Sequence, residues 1–439
     1  MPSKKLSLLI ATALCLLACT AAVRAMQDEI LSPRLAALQK ELAAGNRAAL
    51  ENFWQGMTTN TAPLIEPIAV DDKFALVTFV YRGKDDVKNV LIFGGIAGTD
   101  VEKCRMANLA NSDVWYKTFR VRKDARFTYA FSINDSLVSF DKLPLNDFKA
   151  MMQRISTFKA DPLNPKKFPG FTPSLVEMPD APAQTYHLEQ ANIKKGTVEK
   201  QRIKSAILNN ERNIWVYTPP DYQTNGKPYG LLVVFDGFTY LSLVPTQHIL
   251  DNLIAKNLIP PMVAVTVDNV SQAARGVELP CNPQFADFLA KELVPMLREK
   301  YNVSKDAQQT VVAGSSYGGL ASAYAAFRHP EVFGNVLSQS GSYWWRPEGR
   351  EDEEHEWLTK QFAASPKLSV RFYMDVGLME SDPTPGKGPS MVIANRHLRE
   401  ILKSKGYFVH YAEFNGGHEY VNWRGTLVDG LLALMGNKR

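Results

Sequence analysis

Three textures follow one another along the 439 residues. Between 27 and 57, Leu35, Leu38 and Leu42 recur at helical spacing with Ile30 and Phe53 beside them, which predicts helix. From about 63 the apolar runs become short and β-like, at 74–81, 90–93, 115–121 and 127–133. Turn residues such as Arg82-Gly83-Lys84-Asp85-Asp86 separate them, and strands at this spacing predict a β-sandwich. Pro162, Pro165, Pro169, Pro173, Pro179 and Pro182 follow without apolar periodicity, the mark of a linker. From about 196, apolar strands at 214–217, 231–235, 262–267, 309–313, 370–376 and 407–414 appear. They alternate with helical stretches at 284–301, 320–328 and 391–405. That alternation predicts an α/β domain with a mostly parallel sheet covered on both faces. The expected units are a helical segment 26–60, a β-sandwich 61–160, a linker 161–195 and an α/β domain 196–439.

The first 25 residues stand apart. Lys4 and Lys5 precede an apolar run, 6–18, broken only by Ser7, Thr12 and Cys15, and Val23-Arg24-Ala25 closes the segment. This is the layout of a signal peptide cleaved after Ala25, so a periplasmic or secreted protein is expected. Leu16-Leu17-Ala18-Cys19 also resembles a lipoprotein processing site, although Leu17 is larger than the usual residue there. Membrane attachment would follow only from a lipid on Cys19. The run itself is short of the roughly 20 apolar residues that a span needs.

Composition changes the picture little: 45% hydrophobic and 22% charged residues describe an ordinary globular chain. Removing the leader removes Lys4, Lys5 and Arg24 and no acid, which lowers the net charge from +5 to +2. With no basic block either, a nucleic-acid partner is excluded. Cys104 and Cys281 remain, as a pair or as two separate thiols. No Cys or His cluster has metal-ligand spacing, so no metal or cofactor is expected.

The chemistry centres on 309–320. There Gly314-Ser315-Ser316-Tyr317-Gly318 supplies Gly-x-Ser-x-Gly between a predicted strand and a predicted helix. A sharp strand-to-helix turn lifts the serine clear of the sheet, and the glycines permit the close backbone approach. Ser316 is the expected nucleophile, and the Tyr317 amide one donor to the developing oxyanion. This context predicts an α/β-hydrolase domain. A serine needs a base. His187, His248, His329, His355, His397 and His410 lie in linker, helical, acidic or strand settings, whereas His418 follows Asn415-Gly416-Gly417 just past the last strand. Loops at that end of a sheet gather ligand chemistry. The orienting acid falls between Ser and His in chain order, where Glu380 and Asp382 both qualify and Asp375 sits inside a strand. Phe235-Asp236-Gly237-Phe238 closes an early strand, and the Phe238 or Gly237 amide is the expected second oxyanion donor.

Several runs carry a family resemblance. They are Thr310 to Leu320, Val336-Leu337-Ser338-Gln339-Ser340-Gly341-Ser342-Tyr343-Trp344-Trp345, Glu278-Leu279-Pro280-Cys281-Asn282, Gly416-Gly417-His418 and Trp423-Arg424-Gly425. Asp161-Pro162-Leu163-Asn164-Pro165, Ile96-Ala97-Gly98-Thr99-Asp100 and Ser112-Asp113-Val114-Trp115 extend the likeness toward the N-terminus. Over roughly 60–435 the chain resembles the enterochelin (enterobactin) esterases. The resemblance implies a serine esterase acting on a catecholate siderophore, free or as its ferric complex. The family's Gly-x-x-Glu maps onto Gly377 to Glu380 and favours Glu380 as the acid. It also implies Arg275 and Glu278 as substrate-facing polar residues, with Tyr343, Trp344 and Trp345 as aromatic faces for catechol rings. Two features depart from the family: the leader, and the insert 381–390, rich in Pro and Gly. An exported esterase for feruloyl, acetyl or other small acyl esters stays open as the alternative.

Overall fold

A computed structural model describes residues 32–57, 61–110, 112–140, 148–347, 349, 354–383 and 388–437. The expected leader, with Cys19, lies outside the described residues, as does 384–387 of the insert. The N-terminal unit opens with helices Pro33–Ala43 and Ala48–Gln55. Ser32 caps the first, its side chain accepting from the Leu35 amide, and Pro33 occupies a first-turn position where no N–H is required.

Among the described residues seven strands follow: β1 (Leu64–Ile68), β2 (Asp71–Arg82), β3 (Val90–Phe93), β4 (Ala107–Asn108), β5 (Val114–Arg122), β6 (Arg126–Ile133) and β7 (Ser174–Glu177). They form two antiparallel sheets, ordered β1-β2-β5-β4 and β3-β6-β7. Val77, Phe79 and Val121 of the first meet Leu91, Phe93, Phe127, Tyr129 and Phe131 of the second in one core. The two helices cover the outer side, packing Leu35, Leu38, Phe53 and Trp54 against Leu64, Val80 and Val114.

The proline-rich stretch is a linker only in part. It supplies β7, which pairs with β6 and extends the sandwich beyond the expected boundary at 160. Asp161 and Asn164 are buried, Asp161 accepting from the Tyr129 hydroxyl at 2.6 Å and Asn164 donating to the Leu175 carbonyl at 2.9 Å. A four-residue strand between prolines is too short to display alternation, and polar side chains do the anchoring.

The C-terminal domain holds β8 (Thr197–Ser205), β9 (Asn210–Thr218), β10 (Gly230–Phe235), β11 (Met262–Val267), β12 (Thr310–Ser315), β13 (Asn335–Gln339), β14 (Arg371–Gly377) and β15 (Phe408–Phe414). Their order is β8-β9-β11-β10-β12-β13-β14-β15. The six strands from β10 to β15 run parallel, β9 runs antiparallel to β11 and β8 antiparallel to β9. This is the α/β-hydrolase fold. Helices Tyr317–Arg328, Trp357–Ala364 and Met391–Ser404 cover one face, and Thr246–Ala255 and Tyr420–Met435 the other.

Strands β10, β11 and β12 are buried along their whole length, which explains their unbroken apolar runs. The helix expected over 284–301 is present but interrupted by a π-helical turn, Leu289–Leu293. Cys104 and Cys281 are separate buried thiols, and burial pushes Cys104 up to about 12.

Candidate active site

At the C-terminal edge of this sheet, Ser316 sits between β12 and its helix with φ 60° and ψ −122°. A non-glycine residue in that region costs on the order of 1–3 kcal/mol and persists only where its surroundings over-determine it. They do here. The Ser316 amide donates to the Gln339 carbonyl at 2.9 Å, and the Ser342 amide donates to the Ser316 carbonyl at 3.1 Å. A Cβ on Gly314 would come within 2.8 Å of the Gly318 backbone, so the turn closes only with glycine there. The Ser316 hydroxyl lies 3.4 Å from that of Ser342. Tyr317 opens the helix Tyr317–Arg328, which puts its amide at the positive end of the helix dipole.

His418 occupies the loop after β15, and its Nδ1 lies 2.6 Å from Glu380 Oε2. The other Glu380 oxygen accepts from the Ser340 hydroxyl at 2.7 Å and from the Gly377 amide at 2.9 Å. Gly377 is glycine for a physical reason. A Cβ would sit 2.4 Å from the Gly416 carbonyl and 2.8 Å from Glu380 Oε1. The Trp423 indole donates to Ser340 Oγ at 3.2 Å, and its edge-on ring stands 4.8 Å from the imidazole. The Glu380 side chain is 6% exposed and that of His418 37%, so the acid is held inside while the imidazole reaches solvent. With Nδ1 donating to the carboxylate, Nε2 is the nitrogen that can take a proton. The segment 339–342 links the parts, touching Ser316 through Gln339 and Ser342 and Glu380 through Ser340.

The imidazole opens onto a cleft of about 1180 Å³ between the two domains. Trp344, Met379, Glu380 and His418 form one wall, and Gly94, Phe140, Phe171 and Thr172 of the sandwich unit the other. A cleft this size suits a ligand at or above the drug-sized range.

Comparison with known proteins agrees with this architecture. The Esterase family model matches residues 205–434, and the model for the N-terminal domain of enterochelin esterases matches 76–187. The iron(III) enterobactin esterase of Escherichia coli O6:H1 (strain CFT073) is 34% identical over 344 residues, which span 75% of this chain and 81% of that protein. The chain belongs to the enterobactin esterase family. The iron(III) salmochelin esterase of the same strain is 28% identical over 92% of this chain and 98% of its own length. Among solved structures, the ferric enterobactin esterase of Salmonella typhimurium superposes with a TM-score of 0.71 at 28% identity, covering 87% of this chain and 98% of that one. The Shigella flexneri enterobactin esterase crystallised in the presence of enterobactin gives 0.69 at 30% identity, covering 88% and 97%. The protein is a serine carboxylic-ester hydrolase.

Within this esterase, several residues expected to face substrate have other work. Glu278 is buried in a bidentate pair with Arg212, at 2.7 and 2.9 Å, and also accepts from Asn210 at 3.0 Å. Arg212 is 1% exposed, so the carboxylate is what makes a buried guanidinium tolerable. Arg275 clamps Asp236 at 2.6 and 2.8 Å, and Asn269 donates to the same carboxylate at 2.6 Å. Arg275 therefore holds the turn that leads into Gly237 and Phe238. Tyr343 is fully buried and donates to Ser338 Oγ at 2.7 Å, so it is a core residue with no face for a catechol. Trp345 packs edge-on against Trp357 at 6.1 Å. Trp344 alone of the three aromatics lines the cleft, 6.0 Å from the Tyr317 ring. Phe238 is the second residue of the short helix Gly237–Ser242, with its side chain exposed. Asp382 is 83% exposed and reaches Lys103 at 3.7 Å. The sequence leads one to expect the sandwich to help shape or cover the site, but it singles out neither Ser340 nor Ser342, nor the residues that form the sandwich wall. The two serines lay in the family-like run 336–345, whereas Phe140 and Phe171 carry no local signal.

Asp375 lies in β14, fully buried, with its Oδ1 accepting from the Ser340 amide at 3.2 Å. Burial pushes its carboxyl up to about 8. The folded protein thus keeps this proton while the unfolded chain, with an ordinary carboxylate, has lost it. Between pH 4 and 8 that difference makes stability fall as pH rises, by the linkage relation. The expected result for Asp375→Asn is a melting temperature that changes less between pH 5 and pH 8 than that of the native protein. Thermal melts across that range check it, and parallel curves for the two proteins would refute the assignment.

Proposed function

We propose that this esterase hydrolyses the ester bonds of a catecholate siderophore such as the cyclic trilactone enterobactin, freeing its iron. The observation that carries the reading is the Glu380–His418 pair opening onto a two-domain cleft with Trp344, Phe140 and Phe171 on its walls. Aromatic faces suit catechol rings. The relatives named for enterobactin and salmochelin support the substrate class. In this reading Ser316 attacks an ester carbonyl while His418 takes its proton at Nε2. Glu380 orients the imidazole and stabilises its charged form. The Tyr317 and Phe238 amides receive the oxyanion, and His418 then protonates the departing serine hydroxyl of the substrate. A water activated by His418 releases the acyl group and restores Ser316. Iron arrives with the substrate, as its ferric complex. The leader supports action in the periplasm or outside the cell, as a soluble protein or tethered through Cys19.

The test is chromatography of products after incubation of the mature protein, and of Ser316→Ala, with ferric and iron-free enterobactin. Linear trimer and smaller catechol–serine products from the native protein only are expected. Intact siderophore from a preparation that still cleaves simple aryl esters would sink the substrate assignment.

A further inference from the structure

The loop that carries His418 has no regular structure of its own, yet a general base must be held closely. Its own domain holds it at Gly416 and Gly417, whose carbonyls accept from the Met379 amide and the Asn422 side chain, each at 3.1 Å, and at His418 through Glu380; further supports come from the other domain. The Arg126 amide donates to the Asn415 carbonyl at 2.9 Å, and the Asn415 side chain donates to Asp124 at 2.8 Å. Two residues on, the Thr128 amide donates to both oxygens of Glu419 at 3.1 Å, and the Thr128 hydroxyl donates to one of them at 2.6 Å. A Cβ on Gly417 would lie 3.9 Å from Gly95 Cα, so the sandwich also backs the residue before His418.

The spacing has a cause. Alternate amides of a strand point the same way, and β6 pairs with β3 only from Ala130 onward. Arg126 and Thr128 therefore have amides to spare on that edge, and the His418 loop takes them. Glu419 is held at some cost, since burial pushes its carboxyl up to about 7. Thr128 is itself buried and fixed by Thr172.

We infer that the edge of β6 positions the catalytic base, with Thr128 and Glu419 as the latch that holds the His418 loop in register with Glu380. The sandwich unit is then part of the catalytic apparatus, beyond its role as a wall of the cleft. Thr128 and Glu419 are positioning residues acting through His418, so the inference rests on His418 being the base.

The experiment measures kcat and KM on a simple aryl ester for the full-length mature protein and for Thr128→Val, Glu419→Ala, Glu419→Gln and Thr128→Val/Glu419→Ala. A displaced base costs about 10- to 100-fold in kcat with little change in KM. That loss is expected in Glu419→Ala, with a smaller one in Thr128→Val, which removes the hydroxyl bond but keeps the Thr128 amide on Glu419, and the double variant is expected to be no worse than Glu419→Ala because both act on one latch. Glu419→Gln keeps a carbonyl oxygen for the two Thr128 donors and is expected to recover part of kcat, which also separates positioning from simple misfolding. Unchanged kcat in either single variant, a loss confined to KM, multiplicative losses in the double variant, or Glu419→Gln as poor as Glu419→Ala would each overturn the inference. Native protein inactive on the aryl ester, or Ser316→Ala still active, would count against the active-site reading itself, and the latch would fall with it.

Discussion

Ser316→Ala is expected to lower kcat on a simple aryl ester by about 10⁶-fold, with KM little changed, because removing the nucleophile of such a triad disables the whole unit. The structure concentrates the supports for attack at this one side chain. The positive φ of Ser316 lifts its hydroxyl out of the β12 line, and the Gly314–Gly318 contact leaves the turn no other way to close. The hydroxyls of Ser315 and Ser342 do not share that geometry. Ser315 ends β12 fully buried, and Ser342 meets Ser316 at the margin of hydrogen bonding, 3.4 Å. Steady-state kinetics and labelling with a fluorophosphonate check the point together. Residual activity above about 1% of native, against an expected loss near 10⁶, would place the nucleophile elsewhere, with Ser342 the first residue to try.

For Glu380→Gln the expected loss is about 10⁴-fold in kcat. A glutamine amide donates where the carboxylate accepts, so it favours the imidazole tautomer with the proton on Nε2, the nitrogen that must receive it. The cost is large here because Glu380 is oriented on both sides. Ser340 and the Gly377 amide hold one oxygen, and His418 holds the other. Asp382→Asn makes the contrast. Its side chain is exposed and touches Lys103 across the cleft rim, so kcat should stay near native. If Asp382→Asn loses activity and Glu380→Gln keeps it, the acid has been assigned to the wrong residue.

Much of the catalytic constellation was legible because it obeys local rules. Gly-x-Ser-x-Gly needs only a strand before it and a helix after it, and both appear as apolar runs around 309–328. Chain order then confined the acid to the stretch after β14. There the sequence left Glu380 and Asp382 both open. The family's Gly-x-x-Glu pattern favoured Glu380, and the structure supplies the physical reason, the close contact of Gly377 with Gly416. Strands escaped notice where burial and hydrophobicity part company. β8 is an edge strand with a mostly exposed, polar face. β13 is buried, yet carries Asn335, Ser338 and Gln339, whose polar groups are met inside. Asn335 donates to the Gln308 carbonyl, Gln339 to the Trp423 carbonyl, and Ser338 accepts from Tyr343.

By itself the sequence determined the α/β-hydrolase domain, the Gly-x-Ser-x-Gly turn with its candidate nucleophile, the loop that bears the candidate base and the presence of a β-rich N-terminal unit. These follow from periodicity and from turns whose geometry demands particular residues within a few positions. Only the tertiary structure decided which polar and aromatic residues meet the cleft. Arg275, Glu278 and Tyr343 read as well for binding as for packing until Asp236, Arg212 and Ser338 are seen beside them. The same holds for the contact of Thr128 with Glu419, 291 positions apart. No local pattern encodes a partner at that distance. The pairing exists because the fold lays a free strand edge of one domain along the His418 loop of the other.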